Sequence, residues 1–204
     1  MREYPKIQTV WKRDDRGKII VGEFATPEIE FLSRCDWEWT EKVDGTNIRV
    51  YWDGYNMPVF GGRTDNAQIP AKLVTHLGAT FRLGAFSTFF DEGPVTLFGE
   101  GYGAGIQKGG GNYRADQGFI LFDVLVGNWW LRRDDVLDVA SKLGIPAVPV
   151  IGHGSLPDMC MGLRTQTSLL GVPEPEGIVA RTPEMLLSRS GEPIFVKIKR
   201  KDYE

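Results

Sequence analysis

The sequence predicts an α+β fold, built from antiparallel sheets with a few helices packed outside them. Three observations predict it. Runs of β-branched and aromatic residues dominate the periodic stretches, 25 glycines supply turns between them, and helical spacing takes over in only three places.

In order, Ile7 to Arg13 and Lys18 to Val21 read as two strands around the turn Asp14-Asp15-Arg16-Gly17. Trp37-Glu38-Trp39-Thr40 and Arg49-Val50-Tyr51-Trp52 are strand-like and bracket Asp44-Gly45, a turn signal; Asp53-Gly54 is the next turn. Pro58 to Thr64 is a short strand with a polar end. Between Ile69 and Phe90 the period becomes helical, with Ala71, Val74, Leu77 and Phe81 as the apolar stripe and Gly78 and Gly84 as weak points. Val95 to Glu100 returns to strand and runs into a glycine-rich loop, Gly101 to Asn112. Phe119 to Leu125 is a continuous apolar strand interrupted by one acid, Asp123. Asp134 to Leu143 is a short amphipathic helix whose acidic start suits the positive end of the helix dipole, closed by Gly144. A strand near Ala147 to Ile151, a helix near Leu156 to Leu170, and strands over Gly177 to Arg181 and Ile194 to Lys199 complete the pattern.

At 204 residues and 42% hydrophobic content the chain can bury one sizeable core, so one domain over 1–204 is expected. The formal net charge of −3 excludes a basic coat that binds polyanions by bulk electrostatics. Two cysteines, Cys35 and Cys160, with no secretory signal and no apolar run near the ~18 residues of a membrane span, indicate a soluble, reducing, cytoplasmic setting with no membrane partner. Disulfide and zinc frameworks lack ligands. The two histidines, His76 and His153, read as structural or surface residues.

The chemistry concentrates around Glu41-Lys42-Val43-Asp44-Gly45-Thr46-Asn47. A lysine at a strand end beside a turn can project its amine into a cleft; a surface lysine beside a hairpin is the competing reading. An ordinary lysine is neutral in roughly one molecule in a few thousand near pH 7, so a nucleophilic one needs desolvation or nearby cations supplying about 3–4 kcal/mol. Glu100, flanked by Gly99 and Gly101, is a carboxylate at a strand mouth suited to ribose hydroxyls. Phe119 and Phe122 read first as core, though either ring could stack on a base. Glu176 opens the strand at Gly177 and could help hold a metal, or be an exposed turn acid. Lys197 and Lys199 flank Ile198 and so share one strand face, where they could bind phosphates and act on Lys42, or simply alternate on an edge strand. Gly99 to Ala104 fits G-x-G-x-x-A, but no βαβ pattern follows and it is set aside.

Taken in order, these segments resemble the covalent nucleotidyltransferase superfamily of ATP-dependent ligases and mRNA capping enzymes. Lys42-Val43-Asp44-Gly45 resembles its nucleophile motif and Gly62-Arg63 the short arginine motif. Leu97 to Glu100 resembles the third motif, Phe119 to Val124 its aromatic companion, Glu176 to Val179 the fourth and Lys197-Ile198-Lys199 the fifth. Tyr4-Pro5-Lys6-Ile7, Glu41 to Asn47 and Gly105-Ile106-Gln107-Lys108 are similar to the phage RNA-repair ligase group. The resemblance implies two mainly antiparallel sheets with flanking helices forming a nucleotide-binding cleft, and one adenylation domain without an appended C-terminal domain. It implies ATP-dependent joining of RNA 5′-phosphate and 3′-OH ends through a lysyl-AMP intermediate, with a phage-encoded origin possible for such a chain. By the same resemblance Lys42 is the nucleophile, Lys197 and Lys199 bind the α-phosphate, and Glu176 holds Mg2+ (or Mn2+) largely through water. Arg63 and Glu100 contact the ribose or the incoming end, Phe122 stacks on adenine, and Glu41 meets the base edge through its side chain or backbone. Val43 and Asn47 belong to the same nucleotide-binding set. Guanylyl transfer of the capping type, DNA ligation, and a catalytically inactive module that binds nucleotide or RNA ends are the alternatives.

Overall fold

Gln8–Thr9 forms β1 and Trp11–Arg13 forms β2, which turns back into β3 (Ile19–Phe24). Asp14 closes that turn by accepting from the N–H groups of Arg16 and Lys18 at 2.9 and 2.8 Å. The structure is a computed structural model and describes residues 1–90 and 93–203. A short helix, α1 (Pro27–Leu32), follows, and no periodic signal announces it. Its marks are local: Thr26 caps it by accepting from the Ile29 N–H, and Pro27 occupies the first turn.

Strands β4 (Trp37–Lys42) and β5 (Thr46–Trp52) bracket the Asp44-Gly45 turn as expected, and β6 (Val59–Gly61) follows. Helix α2 (Ala71–Thr80) is followed by α3 (Leu83–Ser87). The stripe that α2 buries is Leu73, Leu77 and then Phe81; Ala71 is exposed and Val74 is 41% exposed, which corrects the expected stripe. β7 (Val95–Gly103) runs three residues past Glu100, so the Gly99 to Ala104 pattern lies on a strand and leads into no helix. β8 (Gln117–Val126) and β9 (Trp129–Trp130) precede α4 (Arg133–Leu143), which ends on Gly144 at φ +65°. The Gly144 N–H meets the carbonyls of Ala140 and Ser141, a left-handed cap that suits glycine.

β10 (Val150–Gly154) lies three residues later than expected, with Ala147 contributing a bridge to Leu121 instead. α5 (Leu156–Gly162) stops well short of Leu170: Thr165 and Gln166 make only tight turn bonds to Gly162 and Leu163, and farther on the Leu169 N–H and the carbonyls of Arg164 and Gln166 bond to side chains elsewhere. β11 (Gly177–Arg181) and β12 (Phe195–Lys199) close the chain before a final 3-10 turn, Arg200–Tyr203.

The chain divides into two compact units. One comprises Met1–Tyr4 and Asp44–Val148 and holds the antiparallel sheet β6-β5-β7-β8-β9, with Ile48, Val50, Trp52, Leu77, Phe119 and Val124 in its core. The other comprises Pro5–Val43 and Pro149–Glu204 and holds the sheet β1-β12-β11-β4-β10 and the β2-β3 ribbon. Its core gathers Val10, Trp37, Leu156, Met159, Ile178, Val196 and Ile198. β1 pairs parallel to β12; the other ladders of that sheet are antiparallel. The α+β class with mainly antiparallel sheets is thus as the sequence predicts. No helix among the described residues is long and apolar enough to cross a membrane.

Candidate active site

In the second unit, period-two alternation settles which side chains share a face. Ile178 and Ala180 of β11 and Val196 and Ile198 of β12 are buried in the core, which sends Lys197 and Lys199 to the opposite face, where only part of each side chain is covered. The ladder register then places Lys42, Gly177 and Lys199 in one row across β4, β11 and β12, and Thr40, Val179 and Lys197 in the next. Gly177 leaves the space between the two lysines unfilled, and a Cβ there would lie 2.2 Å from the Ile198 carbonyl oxygen.

Into that row Glu176, the residue before β11, places its carboxylate. Its Oε2 accepts from Lys42 Nζ at 2.5 Å and its Oε1 pairs with Lys199 Nζ at 2.6 Å. The same amine of Lys42 reaches the Val43 carbonyl at 3.3 Å. Lys42, Lys199 and Glu176 are 19%, 26% and 15% exposed at their side chains, so the cluster is screened from water yet open to a ligand. Sequence reasoning put cations beside Lys42; the structure adds that an acid bridges the nearer pair. An ammonium has no free electron pair, so the amine must give up a proton before it can attack.

Glu41, the next residue back, points the other way and is 1% exposed. Its carboxylate accepts from the Ser168 hydroxyl at 2.5 Å and from the Leu169 N–H at 2.8 Å. Both oxygens are therefore engaged by the 163–176 strap, so the side chain of Glu41 is not free to meet a base, and its backbone N–H donates to the Pro149 carbonyl at 3.1 Å. Val43 is buried at the end of the strand.

In the first unit, Ile48, Val50 and Trp52 line the core, so Asn47 and Arg49 face away from it. Asn47 is the register partner of Glu100, which partners Ile120. Gly45 lets the turn approach closely: a Cβ there would lie 2.7 Å from Glu100 Cγ and 2.3 Å from the Gly101 carbonyl oxygen. Asn47 Oδ1 is buried with no hydrogen-bond partner among the described residues.

β8 carries a bulge, since Phe98 pairs with Asp123 and Gly99 with Leu121, leaving Phe122 as the extra residue. Phe119 is 1% exposed and packs edge-on against Phe81 at 5.3 Å in the core. Phe122 is only half-buried and meets Tyr4 edge-on at 4.9 Å, while the Tyr4 hydroxyl donates to Asp123 at 2.5 Å. Alternation from the core residues Phe119 and Leu121 already turns Phe122 to the opposite face, and the bulge returns Val124 to the core three residues after Leu121.

Arg63 is exposed in the loop between β6 and α2. That loop is held by a residue the sequence reading passed over, Arg49, which is wholly buried. Its Nε donates to the Gly62 carbonyl at 2.6 Å, its Nη2 to Asp65 at 2.9 Å and its Nη1 to the carbonyls of Met1 and Arg2. The available signal was a charged residue amid the buried Ile48 and Val50, which calls for partners.

Among the described residues no group of three or more His, Cys, Asp or Glu side chains could hold a metal ion. Glu176 alone suits a hard divalent cation that keeps most of its waters, as magnesium does.

An α+β frame whose strand-end lysine is joined through one carboxylate to a second lysine defines a domain of the nucleotidyltransferase type. The chain belongs to the RNA ligase family, whose model matches residues 36–199. Among solved structures, a mutant Naegleria gruberi RNA ligase with ATP and manganese superposes with a TM-score of 0.68 at 18% identity over 98% of this chain. The same ligase with pyrophosphate gives 0.66 at 20% identity, and a mutant with AMP and manganese gives 0.66 at 18%. The chain spans 62% of the length of each of these three relatives. No curated protein matches it.

Proposed function

We propose that the chain is an ATP-dependent RNA ligase that seals RNA 5′-phosphate to 3′-OH ends through a lysyl-AMP intermediate. The observation that carries this reading is the Lys42–Glu176–Lys199 cluster, two amines from the strands on either side of β11 sharing one carboxylate. Solved structures of the similar Naegleria gruberi ligase with ATP, AMP and manganese support the choice of nucleotide and of a divalent cation.

In the first step neutral Lys42 Nζ bonds to the α-phosphorus of ATP while the bond to pyrophosphate breaks. Lys197 and Lys199 bind the α-phosphate oxygens and stabilise charge that grows there, so the protein contributes mainly position and charge. Glu176 would hold Mg2+ or Mn2+ through water; when bound, that ion neutralises phosphate oxygens. Phe122 is assigned to adenine stacking, Glu100 and Arg63 to the ribose or the incoming end, and Val43, Asn47 and the Glu41 backbone to the nucleotide. AMP then passes to the RNA 5′-phosphate, and the 3′-OH displaces it. Residues 1–204 are assigned to one adenylation domain acting in the cytoplasm.

Incubation with α-labelled ATP and magnesium should leave acid-labile label on the protein, and Lys42→Ala should abolish it. Label persisting on that variant removes Lys42 as nucleophile. Lys199→Ala should slow labelling about 100-fold, the usual scale for a lost charge-stabilising donor. Exclusive labelling by GTP would replace the ligase reading with guanylyl transfer.

A further inference from the structure

Glu41 and Lys42 are neighbours on β4 with side chains on opposite faces, and each binds one end of the same segment. On the core side the Glu41 carboxylate takes Ser168 and Leu169; on the other face Lys42 takes Glu176. The 163–176 strap thus straddles the end of the nucleophile strand. Ser168 is further fixed because its oxygen accepts from the Leu170 N–H at 3.0 Å. Arg200, the residue after Lys199, supports the same strap. Its guanidinium donates to the carbonyls of Arg164 and Gln166, and its N–H meets the Glu176 carbonyl at 2.9 Å.

Glu41, Ser168, the strap backbone, Glu176 and Lys42 therefore close a ring around the strand end. We infer that Glu41 and Ser168 are positioning residues: their clasp on the strap sets where the Glu176 carboxylate meets Lys42, and thereby governs the reactivity of that amine. This rests on the ligase reading only for its consequence in adenylation. Burial makes the clasp strong, since a carboxylate 1% exposed receives two charge-assisted bonds with nothing else to replace them. A shift of about an ångström in Glu176, and with it in Lys42, is enough to slow a reaction that depends on where the amine stands.

The test uses the full chain and two readouts. Brief treatment with dilute acetic anhydride, read by peptide mass spectrometry, reports how tightly Lys42 is held, with exposed Lys72 as internal reference. Glu176→Ala sets the level for a released amine. Glu41→Gln should move Lys42 at least threefold toward that level, since a neutral amide loses the charge assistance of both bonds and keeps Ser168 only if that hydroxyl turns its hydrogen away. Ser168→Ala, a milder change that keeps the buried acid, should move it less, and Ser168→Thr should restore it. Lys72 should not change. With ATP, Glu41→Gln should lower the adenylation rate constant about tenfold while KM for ATP stays within about threefold. Unchanged Lys42 acetylation in folded Glu41→Gln and Ser168→Ala overturns the inference. A raised KM with lost preference for ATP over GTP also overturns it and makes Glu41 a base-reading residue. Absence of any adenylate on the unmodified chain would instead defeat the ligase reading, leaving the acetylation result to stand or fall by itself.

Discussion

A methyl group on Gly177 would sit 2.2 Å from the Ile198 carbonyl oxygen and 2.9 Å from Lys199 Cα, both backbone atoms that cannot step aside. Gly177→Ala should therefore cost about 1–3 kcal/mol in urea denaturation, the range for forcing volume into a packed site. It should also slow adenylation more than its stability loss explains, because it spreads the two lysine strands. The thiols offer a separate check. Burial pushes the Cys160 thiol up to about 11, so it stays protonated through neutral pH, whereas Cys35 is exposed. Native protein should take up one equivalent of a thiol reagent at pH 7.5, at Cys35, and two once unfolded. Lys42, Glu176, Lys197 and Lys199 could be found in the sequence because each sits in a short contiguous motif and strand alternation fixes its face. The Glu41–Ser168 clasp could not, since a side-chain bond across 127 residues leaves no periodic trace, and Arg49 shows only its place between apolar Ile48 and Val50, not the partners that hold it.

At the scale of elements, the strands were legible because their turns are marked by Asp-Gly pairs and their faces by period two. Helix α2 was located but rotated: Val74 falls at helical spacing, yet Leu73 and Leu77 are the residues buried to 0%. Spacing alone does not distinguish adjacent stripes on a short helix. Leu77→Ala should cost about 2–5 kcal/mol and Val74→Ala well under 1 kcal/mol, a difference that thermal melts of the two variants would resolve. The spacing carries helix α5 on to Leu170 because Gln166, Ser168 and Leu169 hold no breaker signal, whereas the helix tightens into turn bonds at Thr165 and Gln166 and the next segment bonds to Arg200 and Glu41. The β8 bulge was invisible for a related reason. A run of apolar residues hides a one-residue phase shift, so alternation separates Phe119 from Phe122 but does not say which faces the core, nor that Val124 joins Phe119 and Leu121 there.

For the whole molecule, composition gave the fold class and a modest negative charge, but not the division into two compact units, each with its own core. That division follows from where the chain passes between sheets, at Tyr4, Val43 and Val148, and Lys42 stands one residue before the second of these points. The net charge of −3 also bears on the proposed RNA partner. Affinity for a 5′-phosphorylated strand should fall with salt on a shallow log–log slope, about −1 to −3, as local contacts with a few phosphates require. A slope near −8 would demand a basic surface and a different account of how RNA is held.

The Lys42–Glu176–Lys199 row has a further consequence. Two positive groups sharing a single negative one leave the trio with an odd charge whenever no nucleotide is present. Dissolved counter-anions will drift toward that imbalance, and sulfate in a buffer should act as a competitive inhibitor against ATP where chloride at equal ionic strength does little.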